Sequence, residues 1–487
     1  MIRKIYEKLL FTILFCSFIG TATSQNSLTT HLMSSIPQSN YTNPSFIPCY
    51  GFHISLPIIV PKSAFESLNM KYSPRIFTPT FFLNVSHTGF KYNDIIKLHS
   101  DDSLYTDIDN ALKKLSKRNY ISLDLQIEHF SFGVKIKKKY YVNFSIVEKM
   151  SFRFSYPKDF MLLAAKGNTQ FLGKTIDLSS FGINFTHYKE FAVDIAKKVN
   201  EKLTVGIRPK LLYGLGNVFT ENNNFGLYTD PTYYYLTLNS GLKINTSLPI
   251  PINVNEGQIS LPKVIDSEKY WENYYKNNKN KGYALDFGGN YKLNQKITVA
   301  ASVIDLGFIT WKFNPQNLII QKSEFKFEGI DINDFISKDT TKKSSNDIML
   351  DSIQKSVNFE KTTKKYTTYL NTKIYLTGIY QLNKTSNVGL LYRGEFFNKS
   401  YHSALTFSMN DRLCRFFSAT LSYSILNRSY LNIGAGICFN FGFWQLFVVT
   451  DNFYGAMFPE TVKTANVFFG MNFVFGCRKY KPNYPQI

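Results

Sequence analysis

The sequence contains few cysteines, few charged residues and, beyond its N-terminus, no long apolar run. Five cysteines in 487 residues exclude a small domain stabilised by disulfides. After residue 24 no run approaches the roughly 18 apolar residues that a membrane-spanning helix needs, so a helical membrane bundle is excluded. Only 19% of the residues are charged, whereas 44% are hydrophobic, which argues against disorder. The remaining classes are a large soluble β-rich protein and a membrane β-barrel.

Aromatic residues and positive charge, by contrast, are abundant. The chain has 44 Phe and 32 Tyr against 3 Trp, and 56 Lys and Arg against 35 Asp and Glu, which gives a formal net charge of +21. In a cytosolic protein this charge would indicate nucleic-acid binding. The lysines are dispersed, however, and the N-terminus predicts export. We therefore expect no nucleic-acid partner.

The N-terminus has the three parts of a secretory signal peptide. Basic residues among the first eight positions precede an apolar stretch at 9–19, which is too short to span a bilayer. Ala22 and Ser24 occupy the small-residue positions of a cleavage site, and Gln25 would begin the mature chain. We therefore predict a signal peptide at 1–24 and export to the cell outer membrane.

Alternation of apolar with polar or small residues dominates the rest of the chain. Such alternation is typical of strands with two different faces. The strands are close to the ~9–11 residues that a tilted membrane-spanning strand needs, and one face is rich in aromatic residues. The other face carries Gly, Ser, Thr, Asn and occasional charges, which suits a wet lumen. We therefore predict an all-β, transmembrane antiparallel β-barrel. The clearest segments are 121–127, 203–208, 297–303, 431–442 and 467–475.

Turn signals allow the strands to be counted. Outer-membrane barrels have short periplasmic turns and longer extracellular loops. Short turns are predicted at 137–139, 200–201, 294–295, 383–386, 410–411 and 441–443. Longer connections are predicted at 88–119, 157–176, 214–282, 314–369 and 453–463, with tight turns at 398–400 and 427–428. These assignments give about fourteen strands. Twelve or sixteen stay open, because 225–247 could contain another hairpin.

The predicted domains follow from this count. The barrel occupies 78–476, with long extracellular loops at 88–119, 214–282 and 314–369, and a periplasmic tail follows at 477–487. Residues 25–77 are rich in proline, which limits regular structure. This segment is either an N-terminal plug or hatch in the lumen or an ordered periplasmic strap. Short extracellular helices are predicted within 101–118 and at Lys158–Lys166, where Gly167 ends the second helix.

Charged residues on the polar face are candidate lumen residues, because charge facing lipid is costly. They could line a pore or ligand path, or they could form a satisfied network that stiffens the wall or holds the plug. The candidates are Arg208, Lys210, Asp286, Lys373, Arg393 and Glu395.

No catalytic, cofactor or metal motif stands out. The histidines lack the spacing of metal ligands on one element, and no Cys-x-x-Cys, phosphate-binding Gly loop or Gly-x-Ser-x-Gly elbow occurs. We therefore predict no cofactor and no enzyme activity. Cys49 and Cys477 flank the barrel and would lie near one rim, where they could form a disulfide or stay as thiols. Cys414 and Cys438 are too far out of register to pair.

A series of short motifs extends over nearly the whole mature chain. They are Asn43-Pro-Ser-Phe-Ile-Pro48, Phe90-Lys-Tyr-Asn-Asp-Ile95, Ser131-Phe-Gly-Val134, Phe154-Ser-Tyr-Pro157, Gly173-Lys-Thr-Ile-Asp-Leu178, Leu227-Tyr-Thr-Asp230, Asp305-Leu-Gly-Phe308 and Gly470-Met-Asn-Phe-Val-Phe475. In their order and spacing, these motifs resemble an uncharacterised family of Gram-negative outer-membrane proteins related to the long-chain fatty-acid transporter class. Asn43, Pro44 and Ser45 of the first motif resemble the N-terminal hatch motif of that class. The resemblance implies fourteen strands and an N-terminal plug, but no ligand-contacting residues map onto this chain.

Two functions follow from different classes. The first is a channel or transporter that admits a small hydrophobic molecule across the outer membrane past an N-terminal hatch. The alternative is a non-conducting barrel that anchors or shuttles a partner in a surface or secretion complex. Long extracellular loops suit both functions. The expected partners are outer-membrane lipid and lipopolysaccharide, with a small apolar ligand in the first case and an envelope protein in the second.

Overall fold

The fold is described from a computed structural model. The structure describes residues 28–56, 58–59, 76–77, 80–89, 96–98, 104–106, 108–137, 139–222, 225–232, 235–239, 242–249, 253–255, 258–260, 268–320, 323–326, 359–397, 400–414, 416–426, 429–458 and 462–476. The predicted signal peptide, the tail at 477–487 and Cys477 lie outside these residues.

Fourteen antiparallel strands form a closed barrel, which confirms the predicted fold class and strand number. The barrel closes where the last strand pairs with the first, for example at Val467 and Leu83. The strands are β1 Thr80–His87, β2 Arg118–Ile136, β3 Tyr140–Pro157, β4 Gly182–Lys198, β5 Leu203–Asn222, β6 Asn280–Lys292, β7 Ile297–Trp311, β8 Lys373–Gln381, β9 Ser386–Phe397, β10 Ser400–Asp411, β11 Phe417–Leu426, β12 Ser429–Phe441, β13 Trp444–Thr450 and β14 Thr464–Phe475.

The wall buries its polar face and exposes its apolar face. In β10, Thr406 and Ser408 are fully buried in the interior, whereas Leu405, Phe407 and Met409 are among the exposed large hydrophobic residues. Successive side chains of a strand point to opposite faces, so the period-two pattern of the sequence is the direct cause of this arrangement. The inward face of the wall is therefore mainly polar, with buried apolar clusters such as Ile304, Tyr375, Ile379 and Leu391 between the polar residues.

Three short turns at one end of the barrel use the same side-chain device. In each turn an Asn carboxamide oxygen accepts hydrogen bonds from the backbone N–H groups two and three residues ahead. Asn200 accepts from Lys202 at 2.8 Å and from Leu203 at 2.7 Å. Asn294 and Asn383 make the equivalent pairs of bonds at 2.8 Å. These bonds explain why the repeated Asn predicted turns correctly. This end of the barrel is called the short-turn end.

The opposite end, the long-loop end, carries the longer connections. Residues 214–222, predicted to be loop, continue β5 instead, because Leu242–Ser247 provides them with a new pairing partner beyond β6. The strands at 226–247 therefore lie above the barrel and do not span it. The further strands in these connections are Thr175–Asp177, Gly226–Thr229, Tyr235–Asn239, Leu242–Ser247, Asn253–Asn255, Gln258–Ser260, Pro315–Ile320, Ser323–Lys326, Phe359–Thr362, Tyr366–Tyr369, Ile96–Leu98 and Leu104–Thr106.

The helices are short. They are α1 Leu28–His31, α2 Ile108–Lys114, α3 Lys158–Lys166, α4 Glu268–Tyr275 and α5 Phe453–Met457, with 3-10 turns at Pro37–Tyr41 and Thr169–Phe171. Helix α3 and its end at Gly167, with φ of +74°, are as predicted. The helix expected within 101–118 is shorter, since Leu104 pairs with Leu98 in a ribbon. Within the described ranges, no helix is both long and apolar enough to cross a membrane.

One position in the wall is filled by two separate pieces of chain. Phe52–Ser55 pairs with β14 and with β2 near the short-turn end. β1 occupies the same position nearer the long-loop end, and Ser55 Oγ lies 3.4 Å from Thr80 Oγ1 where the two pieces meet. Phe52–Ser55 was predicted to precede the barrel but belongs to its wall, because β14 and β2 would otherwise expose unpaired backbone there. Ile58–Ile59 and Ile76–Phe77 pair as a ribbon between the pieces.

Candidate functional site

Residues 28–50, here called the luminal segment, lie inside the barrel. All four residues of α1 are buried. The segment begins near Asp451, at the long-loop end of β13, and Tyr50 contacts Gln445 at the short-turn end of the same strand. The luminal segment therefore follows the lumen along much of one strand. Its first backbone N–H groups, of Leu28 and Thr29, donate to Asp451 Oδ2 and Oδ1 at 2.9 and 2.8 Å.

The predicted hatch residues form a turn that is pressed against the wall. Asn43 Oδ1 accepts from the backbone N–H of Ser45 at 2.9 Å and from its hydroxyl at 2.7 Å. Two wall glycines make room for this turn. A Cβ atom on Gly206 would lie 2.2 Å from the Pro44 carbonyl carbon, and one on Gly288 would lie 2.2 Å from Asn43 Oδ1. Glycine is required at both positions for this close approach.

His31 links the luminal segment to itself and to the wall. Its Nδ1 lies 2.8 Å from Thr42 Oγ1, and its Nε2 lies 2.7 Å from Thr377 Oγ1. The Thr42 hydroxyl donates to the Ser39 carbonyl, so Nδ1 carries the proton and Nε2 accepts from Thr377. The ring stacks on Tyr375 at a centroid distance of 5.2 Å. Burial lowers the pKa of His31 from 6.5 to about 3.

Polar contacts hold the middle of the luminal segment. Gln38 donates to Asn472 Oδ1 at 2.7 Å and to Glu128 Oε1 at 3.1 Å, and the Tyr41 hydroxyl also donates to Glu128. Asn40 donates to Asp194 Oδ2 at 2.7 Å. These bonds reach two parts of the wall that are four strand positions apart, since Asn472 lies on β14 and Asp194 on β4. These polar contacts are non-covalent and can be exchanged for water. Leu28, Leu32, Met33 and Ile36 of the segment also pack in buried apolar clusters with side chains of the wall.

All six charged residues predicted for the lumen are buried and paired. Arg208 Nη2 lies 2.8 Å from Asp194 Oδ2, and Arg393 Nη2 lies 2.6 Å from Glu395 Oε2. Lys210 Nζ lies 2.6 Å from Asp286 Oδ2. Lys373 completes the set, with its Nζ 3.0 Å from Asp305 Oδ2. The structure therefore joins Arg208, Lys210, Asp286 and Lys373 in one network, and it pairs Arg393 with Glu395.

Sequence reasoning missed several members of this network. Asp305 lies 2.7 Å from Lys210 Nζ, and Lys149 Nζ lies 2.8 Å from Glu190 Oε2. Asp194 had a usable signal, because it alternates with exposed apolar residues on β4. The alternation gave no signal for Asp305, since this residue occupies a β-bulge opposite Asp286, with φ of +60°.

Two cavities lie between the described side chains of the barrel. The larger, of about 130 Å³, is lined by residues of β1, β2, β3, β4 and β8, among them Phe82, Asp124, Lys149 and Lys373. The smaller, of about 60 Å³, lies at the short-turn end and is lined by Leu32–Ser35 of the segment and by the β8–β9 and β10–β11 turns. The luminal segment therefore borders the second cavity directly.

The described residues include two cysteines that form no disulfide, and they include no cluster that could hold a metal ion. Cys414 and Cys438 are free thiols, and the proposed pairing of Cys49 with Cys477 falls outside the described residues. No group of three or more His, Cys, Asp or Glu residues is arranged to hold a metal within the described ranges.

Comparison with known proteins gives one family. A family model described as "Family of unknown function (DUF5723)" matches residues 44–451. No curated protein matches the chain.

Solved structures with a similar course of the chain include transporters. The toluene transporter TbuX of Ralstonia pickettii is 9% identical, with a TM-score of 0.40 over 90% of this chain and 94% of its own. The toluene transporter TodX of P. putida is 9% identical, with a TM-score of 0.37 over 89% and 91%. A FadL homologue of Pseudomonas aeruginosa is 7% identical, with a TM-score of 0.40 over 94% and 100%.

Proposed function

We propose a gated outer-membrane transport barrel as the function of this chain, which belongs to the family of unknown function DUF5723. In this proposal the luminal segment is the gate and small molecules with apolar character are the cargo. The luminal segment, residues 28–50, forms the removable hatch, with Asn43, Pro44 and Ser45 at its contact with the wall. The chain carries no catalytic role.

The outer surface supports a membrane location. Large apolar side chains cover neighbouring strands on the outside, and the corresponding inward positions are polar. A soluble protein rarely exposes an apolar surface of this extent, whereas a membrane barrel needs one. Examples are Leu376, Leu390, Phe407, Leu421 and Ile433, whose side chains are 49%, 51%, 52%, 62% and 49% exposed.

One observation carries the gating proposal. The luminal segment crosses the lumen on non-covalent contacts and begins with Thr29 Oγ1 only 2.7 Å from Ser422 Oγ of the wall. The barrel itself is closed by strand pairing that does not involve residues 28–50. Since the pairing of the wall strands does not need this segment, the segment could leave without opening the barrel. Phe52–Ser55, by contrast, is part of the wall and would stay.

The cargo proposal rests on the aromatic side chains of the larger cavity. Phe82, Tyr188, Phe219 and Phe397 line it. Such rings offer apolar contact area to a small molecule. The cavity also contains charged groups, so the cargo would be amphipathic rather than a pure hydrocarbon.

Planar-bilayer conductance tests the gate. The mature chain would be compared with a deletion of residues 25–50, which leaves Phe52–Ser55 in the wall. A second variant, Thr29→Cys with Ser422→Cys, places two thiols where the hydroxyl oxygens are 2.7 Å apart and can lock the gate by oxidation. Thr29→Cys alone is the matched control for the natural cysteines.

We expect the deletion to raise conductance sharply and the oxidised double variant to abolish the openings seen after reduction. Equal silence from all variants, with the barrel confirmed by heat-modifiable gel migration, would contradict the transport proposal. That result would favour the non-conducting barrel that anchors or shuttles an envelope partner. Co-purification of that partner would then be the next measurement.

A further inference from the structure

The larger luminal cavity has charged groups of both signs on its wall. Lys149 and Lys373 provide two ammonium groups, and Asp124 and Asp305 provide two carboxylates. Asp305 is already engaged, since its carboxylate oxygens lie 2.7 Å from Lys210 Nζ and 3.0 Å from Lys373 Nζ. Asp124 differs, because its Oδ2 atom is buried without a hydrogen-bond partner. An unpaired buried carboxylate oxygen is costly, so this atom is a site for a donor.

The lysines retain donors as well. An ammonium group has three N–H donors. Lys373 Nζ uses one on Asp305 Oδ2, and Lys149 Nζ lies 2.8 Å from Glu190 Oε2. Their side chains are 10% and 18% exposed, so both reach the cavity. The cavity therefore combines N–H donors with one carboxylate oxygen, Asp124 Oδ2, that has no hydrogen-bond partner.

We propose that this cavity binds a small zwitterion with an aromatic ring, of the chemical class of the aromatic amino acids. Its ammonium group would bind Asp124 Oδ2, its carboxylate would bind Lys149 and Lys373, and its ring would lie against Phe219 and Tyr188. This inference rests on the proposed function only for the route by which the ligand arrives. Binding itself needs no transport.

The volume of the cavity and the charges on its wall favour an aromatic amino acid over a hydrocarbon, a simple anion or a simple cation. A cavity of about 130 Å³ holds roughly ten waters, which matches a molecule of roughly a dozen non-hydrogen atoms. A hydrocarbon would remove water from Asp124 Oδ2 without replacing its hydrogen bond. A simple anion would face Asp124, and a simple cation would face the two lysines. Only a molecule with both charges satisfies both groups.

The test uses the purified mature chain in detergent and four probes of one shape. The probes are L-phenylalanine, phenylacetate, phenethylamine and ethylbenzene, with affinities measured by titration calorimetry. We expect L-phenylalanine to bind at least tenfold more tightly than any of the other three. Equal or tighter binding of ethylbenzene, phenylacetate or phenethylamine would overturn the proposal.

Two substitutions assign the charges. Asp124→Asn should weaken L-phenylalanine at least tenfold and leave phenylacetate unchanged or tighter. Lys149→Met should weaken L-phenylalanine and phenylacetate, and leave phenethylamine unchanged or tighter. Lys189→Met removes a lysine from the outer face of β4, where its Nζ lies 3.5 Å from the Tyr275 carbonyl, and should change none of the affinities. The assignment would be refuted if Lys189→Met lost the preference for L-phenylalanine, or if Asp124→Asn kept that preference.

The outcomes separate this inference from the proposed function. If the protein binds L-phenylalanine selectively, but no variant conducts in bilayers, the proposed binding site stands and the proposed gate is refuted. If deleting or locking the luminal segment changes the conductance, but the four probes bind equally well, the proposed gate stands and the proposed binding site is refuted.

Discussion

Gly206 of the barrel wall and Pro44 of the luminal segment are in such close contact that a Cβ atom on Gly206 would lie 2.2 Å from the Pro44 carbonyl carbon. A side chain and a backbone carbonyl cannot share this space, and the backbone has no flexible end that can yield. The absence of one methyl group on β5 therefore permits the luminal segment to pack against the wall. The glycine at position 206 thus determines how closely the luminal segment can approach the wall.

Gly206→Ala should displace the luminal segment. Overpacking of this kind costs about 1–3 kcal/mol, so the segment should leave the wall roughly tenfold or more often. Maleimide labelling of Ser45→Cys, a buried position, measures this opening. Gly378→Ala is the matched control, because a Cβ atom there meets nothing within 4 Å. Equal labelling rates in the two variants would show that the contact with Pro44 does not hold the gate.

Asp451→Asn should loosen the beginning of the luminal segment. The carboxylate accepts from two backbone N–H groups, and the Asn carboxamide can accept with only one of its two atoms. Hydrogen bonds to a charged group contribute about 1.5–3 kcal/mol, so the opening frequency in bilayers should rise at least tenfold. Asp411→Asn, where the carboxylate accepts from the Ser386 hydroxyl at 3.0 Å, should leave it unchanged. An unchanged opening frequency in Asp451→Asn would show that other contacts keep the luminal segment in place.

Mild acid should open the gate through His31. Its pKa is about 3 when the luminal segment is docked and 6.5 in water, so the undocked state takes up the proton first. Docking is therefore unaffected above pH 6.5, weakens as pH falls from 6.5 towards 3, and weakens no further below 3. Between pH 7.5 and pH 5 the docking constant should fall roughly 30-fold. Conductance against pH measures this change. His31→Gln should remove most of this pH dependence, and an unchanged profile in that variant would exclude His31 as its source.

Lys210→Met should destabilise the whole barrel. The substitution leaves Asp286 and Asp305 buried without their shared ammonium group. Removing one partner from a buried ion pair costs about 3–5 kcal/mol. The urea midpoint of unfolding, followed by heat-modifiable gel migration, should drop accordingly. Lys189→Met on the outer face should change the free energy of unfolding by about 0.5 kcal/mol or less. A drop no larger than that of the control would mean that water replaces Lys210 in the network.

Much of the fold could be predicted because its signals are local. Alternating residues assigned the strands, and the Asn residues at 200, 294 and 383 marked turns through bonds to their own backbone. Position on a strand also placed Arg208, Lys210 and Asp286 on the inner face. Their partners were harder to identify, because the choice between Asp194, Asp286 and Asp305 depends on which strands are neighbours. Phe52–Ser55 was missed, since four residues next to prolines carry no clear period.

The sequence by itself determined the barrel, its strand number and the polarity of its two faces, because each depends on residues close together in the chain. Only the tertiary structure decided where the luminal segment lies, which charges pair and where Asp305 points. His31 and Thr377 are separated by 346 positions, yet their side chains lie 2.7 Å apart. Such contacts arise from the closure of the barrel around its own N-terminal segment, and no local pattern encodes which distant side chains that closure brings together.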